Sequence, residues 1–264
     1  IIIAFDFYWL LRLFCMTLFL SLSYYRLLIE AKTDWMARSK GLQDIGAYLS
    51  EAGKKLKEGR FKRRFSRFFH YREIGFLARN KIQIPSLNEI YHLVIIPVAK
   101  EIRDIVEPGV RSIAGGSFPP DRILVVLALE ARASDAVKNG ARDIRDSYKN
   151  SFFDILIAEH EDGVPGESRV KGANATHAAK YAADYLKNRG MSFENVIASC
   201  FDSDTVINPG YFSCLTYHFM ACPFRHRASF QPIPVYHNNI WDVPAFARVL
   251  EAGSSFFQLV EATN

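Results

Sequence analysis

The chain begins on an apolar run: Phe7 to Tyr25 carries Arg12 as its only charge, and Ile1 to Ala4 extend the run upstream. A helix needs about 20 apolar residues to cross the hydrocarbon of a bilayer, so the length suffices. Arg12 is tolerable where it snorkels or faces another helix. Tyr8, Trp9, Tyr24 and Tyr25 stand near the ends of the run, where interfacial anchors belong. No small-residue cleavage site follows, which argues against a signal peptide. The pattern predicts a transmembrane helix over 1–29, with a buried or interfacial helix as the alternative.

Residues 30–88 have a different texture, basic and helix-prone. Phe61, Phe65, Phe68 and Phe69 recur at helical spacing among Lys and Arg. Such a stripe either lies on an anionic leaflet or packs its phenylalanines on the following domain.

From Tyr91 onward, short apolar runs alternate with helical periodicity. Strands are predicted at His92–Val98, Ile123–Leu129, Phe153–Ala158 and Val196–Phe201. Helices are predicted at Glu101–Gly115, where Pro108 should kink or divide the element, at 134–150 and at Lys171–Arg189. A Gly/Pro loop is expected over Asp162–Glu167. Apolar strands alternating with helices imply a mostly parallel sheet covered on both faces, an α/β domain over 89–264. In such sheets ligands bind at the carboxyl ends of the strands.

Composition sharpens this picture in two places. Hydrophobic content of 49% and charged content of 23% fit a packed core and exclude wholesale disorder. The formal charge of +5 is not spread evenly: Lys and Arg crowd between Lys54 and Arg79. Beside an apolar helix, that block reads as the cytoplasmic flank of a membrane span, so a membrane partner is expected and a nucleic-acid partner is not. The positive-inside rule then places everything downstream in the cytoplasm. Cys15 lies in the apolar run and Cys200 in a strand expected to be buried, which argues against a disulfide framework. The chain starts at Ile1 without a methionine and ends at Asn264 without an evident cap, so it reads as a piece of a longer protein.

The strongest chemical signal is Asp202-Ser203-Asp204, which follows the last apolar strand. Two carboxylates two residues apart at a strand end form a hard oxygen site for Mg²⁺ or Mn²⁺, which in turn can hold a diphosphate. The alternative is a loop whose aspartates cap the helix starting near Pro209. Lys171-Gly172-Ala173-Asn174 opens a helix, and a helix N-terminus with a lysine can meet a pyrophosphate; an ordinary helix start with a solvated lysine is the plainer reading. Cys214, His218, Cys222 and His226 recur every four residues. They spread over too many turns for one tetrahedral ion, so buried cysteines and helix-face histidines are expected there. Glu159-His160-Glu161-Asp162 reads as a solvated loop.

Taken in order, these segments resemble the family 2 glycosyltransferases, particularly membrane-anchored ones related to cellulose synthases and polyprenol-phosphate sugar transferases. Pro97-Val98-Ala99-Lys100-Glu101 is similar to the family's Pro-x-x-x-Glu nucleotide-binding opening. Glu130 stands nearest the place where the family shows an aspartate contacting uracil. Lys171 to Asn174 is similar to its donor-site Lys-Gly/Ala-x-Asn/Ala segment. Asp202 and Asp204 resemble its metal-binding Asp-x-Asp, and Pro209-Gly210-Tyr211-Phe212 the turn and helix that follow. Phe230-Gln231-Pro232 is similar to a later strand, with Tyr236-His237-Asn238 after it. The family's acceptor base and its Gln-x-x-Arg-Trp gate have no counterpart before Asn264.

The resemblance implies a GT-A-like, Rossmann-like sheet. It also implies metal-dependent, inverting transfer of a sugar from a UDP- or GDP-sugar to a lipid-linked or glycan acceptor. Pro97, Glu101, Glu130, Lys171, Asn174 and Asp202 would bind the donor, and Asp202 and Asp204 the metal. A nucleotidyltransferase, or a membrane-tethered binding protein using the 54–79 block, is the alternative.

Overall fold

The computed structural model describes residues 2–56, 61–161, 171–233, 241 and 243–261. The expected loop at 162–167 and Tyr236-His237-Asn238 lie outside these residues, as do Lys57 and Arg60 of the basic block. Contacts divide the chain into two compact units, one of Asp34–Ala228 and one of Ile1–Thr33 with Ser229–Asn264.

The larger unit holds four strands: β1 (Tyr91–Val98), β2 (Ile123–Glu130), β3 (Asp154–His160) and β4 (Val196–Cys200). They form one sheet in the order β3-β2-β1-β4, and every pairing is parallel. This is the α/β architecture that the alternating pattern predicts. Under one face lie α5 (Arg103–Ala114) and α6 (Asp135–Tyr148). Their Val106, Val110, Ile113, Val137 and Ile144 pack on Val94, Ile96, Val125 and Leu127. Over the other lies α7 (Lys171–Asn188), whose Ala178, Ala182 and Leu186 meet Leu93, Ile95, Leu124 and Val126. Coverage of both faces is why β1 and β2 are apolar without alternation.

Two details depart from expectation. Pro108 lies within α5, which is one continuous helix; Pro108 and Asp104, whose carbonyl loses its intrahelical partner, are both exposed, so water can serve that carbonyl. Cys200 is exposed rather than buried. The reason is that β4 is an edge strand. Register puts Ala198 opposite Leu93 and Cys200 opposite Ile95, on the α7 face, and α7 packs on β1, β2 and β3.

The basic segment after Thr33 is built into the same unit as the sheet. Asp34 and Asp44 cap α2 (Trp35–Gly41) and α3 (Ile45–Lys55), accepting from the Ala37 and Ala47 N–H groups. α3 packs on α4 (Phe61–Arg79), and α2 on α8 (Tyr211–Ala221). A polar cluster joins them. The Tyr48 hydroxyl lies 2.8 Å from His70 Nε2, and Tyr217 donates to Glu73 Oε2 at 2.8 Å. Trp35 stacks at 5.4 Å from the Tyr217 ring. Burial pushes Tyr48 up to about 12 and raises Tyr217 as well. It also lowers His70. Burial alone would raise Glu73, but hydrogen bonds from His70 and Tyr217 hold it below the usual carboxylate range.

In the smaller unit α1 (Ile2–Glu30) packs with α9 (Ala245–Glu261). Among the described residues α1 is the one helix long and apolar enough to cross a membrane. Its hydroxyls turn inward on the helix: Thr17 donates to the Leu13 carbonyl at 2.8 Å and Ser21 to Thr17 at 2.7 Å. That arrangement satisfies them without water. Phe230-Gln231-Pro232, likened above to a strand, has no regular structure.

One buried group makes stability acid-sensitive. His92 sits between Phe118 and Phe212, with ring centroids at 4.6 and 4.8 Å, and its Nε2 is 2.8 Å from Thr216 Oγ1. Burial lowers its pKa from 6.5 to about 3. The folded chain holds it neutral while the unfolded chain protonates near its ordinary value. The unfolded state therefore binds more protons, and stability falls as pH drops from about 6.5 toward 3. Denaturant midpoints measured at about pH 7.5 and about pH 5 should show this loss, and a His92→Gln variant should show less of it. An unchanged slope in that variant would assign the acid sensitivity to other groups.

Candidate functional site

The crossovers run from β1 to β2 to β3 on one side, and the chain then returns to β4 on the other side of β1. This reversal leaves a crevice at the carboxyl ends of β1 and β4. Pro97 marks where it opens. In a strand the N–H and C=O of residues i and i+2 face the same neighbour. Ile95 gives its carbonyl to Phe201 N–H at 3.0 Å, on the β4 side. Pro97 therefore also faces that side, but pairing with β4 ends at Cys200, opposite Ile95. The missing N–H of Pro97 points where no ladder remains to need it.

Beyond Pro97 the chain turns on Glu101. Its Oε2 accepts from the Ala99 N–H at 2.8 Å and the Lys100 N–H at 3.0 Å. This is why α5 starts at Arg103 rather than at Glu101. The Ser203 hydroxyl lies near enough to Glu101 to help hold its carboxyl ionised, so the end of β1 stands beside the acidic loop after β4. Burial raises the Glu101 pKa, but those backbone N–H groups and Ser203 outweigh it and hold the carboxyl below its ordinary range.

Asp202 and Asp204 are both exposed. The Lys171 ammonium, in the first turn of α7, meets the Asp202 carboxylate. A Cβ added at Gly172 would meet nothing within 4 Å among the described residues. Asn174 is instead buried, at 2% exposure, and donates from Nδ2 to the Ala128 carbonyl at 2.9 Å; its Oδ1 has no partner among the described residues. It thus ties α7 to the end of β2. Glu130 ends β2 beside the crevice, paired with Arg132. The structure so brings Glu101, Ser203, Asp202 and Lys171 together, places Pro97 and Glu130 at the same sheet edge, and turns Asn174 inward.

Several residues that hold the acidic loop escape the motifs. Gly109 abuts it closely: a Cβ there would lie 2.6 Å from the Thr205 carbonyl oxygen. Ser112 Oγ accepts from the Ile207 N–H at 3.1 Å, and the Ser117 N–H donates to the Pro209 carbonyl at 2.7 Å. A Pro-Gly pair inside a helical pattern was the available signal, because glycine in mid-helix needs a packing reason. The Cys/His run breaks apart: α8 contains Cys214 and His218, whereas Cys222 is its C-cap and His226 falls in the turn Arg225–Arg227.

Among the described residues no three His, Cys, Asp or Glu side chains gather as a metal-ligating group. Asp202 and Asp204 nevertheless suit a partly hydrated Mg²⁺ or Mn²⁺, since such ions take one or two carboxylates and complete their shell with water and substrate phosphate.

Replacing Gly109 with Ala should displace the Thr205 carbonyl and with it the acidic loop. The expected loss is about 1–3 kcal/mol of stability, typical of an overpacked contact. Faster amide exchange should appear over 202–207. Wild-type exchange in that loop would show that the contact does not position it.

Neither a protein-family model nor a curated protein matches the sequence. Among solved structures the chain is similar to the mannosyltransferase PcManGT from Pyrobaculum calidifontis in complex with GDP-Man and Mn²⁺. Identity is 13% and the TM-score 0.36, over 70% of this chain and 44% of that one. The chain thus spans less than half the length of that enzyme.

Proposed function

We propose that this chain carries the donor half of a membrane-anchored glycosyltransferase. It would move a sugar from a UDP- or GDP-sugar to a lipid-linked or glycan acceptor. The observation that carries this reading is the convergence of Glu101, Ser203, Asp202 and Lys171 at the carboxyl ends of β1 and β4. A crevice with an ammonium, exposed carboxylates and a helix N-terminus suits a nucleoside diphosphate. Asp202 and Asp204 would hold Mg²⁺ or Mn²⁺, which neutralises charge growing on the departing diphosphate. Lys171 would bind a diphosphate oxygen. Glu101, held ionised by its backbone donors, would orient the loop and accept from base or ribose. In the inverting displacement an acceptor oxygen would bond to the anomeric carbon as the bond to the diphosphate breaks, and the acceptor proton would pass to a general base. The basic flank of α1 favours a cytoplasmic face for this crevice.

The nucleotidyltransferase reading needs a phosphate loop after β1. Its best candidate, Arg111 to Gly116, instead ends α5, and Arg111 is engaged by Glu107 and Tyr148.

The full chain in detergent should bind GDP or UDP more tightly when Mn²⁺ is present. Asp202→Asn with Asp204→Asn should weaken that binding roughly tenfold or more, the loss expected when charged contacts to a diphosphate are removed. Unchanged affinity in the double variant would sink the site assignment.

A further inference from the structure

We propose that the outward face of α4 is a docking surface for an anionic lipid bilayer. The inference does not depend on glycosyl transfer. α4 is amphipathic in an unusual sense, since one face is buried in protein and the opposite face is also aromatic. Ile74 and Leu77 are 0% and 2% exposed, turned toward the interior of the unit. Phe68, Phe69 and Phe76 are 46%, 52% and 49% exposed. At 3.6 residues per turn, positions 68, 69, 72, 76 and 79 fall within a sector of about 100°. That sector therefore presents three phenylalanines interleaved with Arg72 and Arg79, both exposed. The Arg72 guanidinium lies 5.9 Å from the centroid of the Phe68 ring, with its charge kept at the surface.

The charge pattern selects the occupant. Glu73, the one acid on α4, is turned away to Tyr217 and His70, so the outward sector carries cations and rings alone. Phenylalanine that enters the acyl boundary beside arginine that meets lipid phosphate is the composition of an interfacial helix. A single such face binds weakly. Here the same chain carries α1, and the unit that holds α4 begins at Asp34, a few residues after Glu30, so an α1 held in a bilayer would give that unit a high effective concentration at its surface. The network of Tyr48, His70, Glu73 and Tyr217 fixes α4 to the sheet unit, so docking would orient the whole unit and its crevice.

The test uses the full chain in nanodiscs, with p-benzoylphenylalanine placed at Phe69 and, as a control, at Tyr181, an exposed position on α7. Irradiation should attach lipid at position 69 in discs containing phosphatidylglycerol, and little at 181. Arg72→Glu with Arg79→Glu should cut the adduct roughly tenfold or more, because each basic residue at an anionic surface is worth close to a factor of five. Circular dichroism should stay unchanged, since both arginines are exposed. Equal labelling in phosphatidylcholine discs, adducts to a second copy of the chain, or no lipid adduct at position 69 would each overturn the proposal.

Discussion

The reversal of strand order at β1 is the constraint on which the rest depends. A parallel sheet that grew in one direction only would have no reversal of strand order at β1 and so no such crevice there. Here β2 and β3 lie on one side and β4 on the other, so the strand order reverses at β1 and the crevice falls at the carboxyl ends of β1 and β4. Each candidate site residue is placed by this event. Pro97 stands where the β4 ladder stops, and Glu101 caps the turn out of β1. Ser203 lies beside Glu101, and Lys171 reaches Asp202 from the helix that leads into β4.

The acidic loop is then fixed from two directions. α5 meets it through Gly109 and Ser112, and α8 follows it directly, with Phe212 packed into the core beneath the sheet. α8 is also the element to which the basic segment attaches: Tyr217 bonds Glu73, and Trp35 stacks on both Tyr217 and His218. One short helix thus couples the loop bearing Asp202 and Asp204 to α2 and α4. The basic, helix-prone segment before the sheet is thus packed into the same unit as the site.

Much of this was legible before any coordinates. All four strands and the helices between them follow from apolar periodicity, because parallel strands buried on both faces leave a strong signal. Asp202, Lys171 and Glu101 were legible as charged residues at element ends. What escaped was everything set by tertiary packing. Asn174 looks like a site residue in sequence, yet it is buried and its Nδ2 donates to the Ala128 carbonyl. Cys200 looks buried, yet sheet order makes β4 an edge. The role of Gly109 depends on a backbone oxygen of Thr205 that is distant in sequence. The Tyr48–His70–Glu73–Tyr217 cluster draws on α3, α4 and α8, and no local pattern announces it.

The Lys171–Asp202 contact connects the structure to the proposed chemistry. Both side chains are well exposed, at 53% and 70%, and an ion pair so wet contributes little to stability. Its interest lies in charge balance. A nucleoside diphosphate offers Lys171 more negative charge than one carboxylate does. Transfer of the ammonium to the diphosphate would free Asp202 for the divalent cation that the diphosphate brings with it. Donor and metal would then enter together, each removing the obstacle to the other. Such an exchange would use Lys171 at the start of α7 and Asp202 in the loop after β4. A weak pair between two firmly held backbones is the arrangement such an exchange requires.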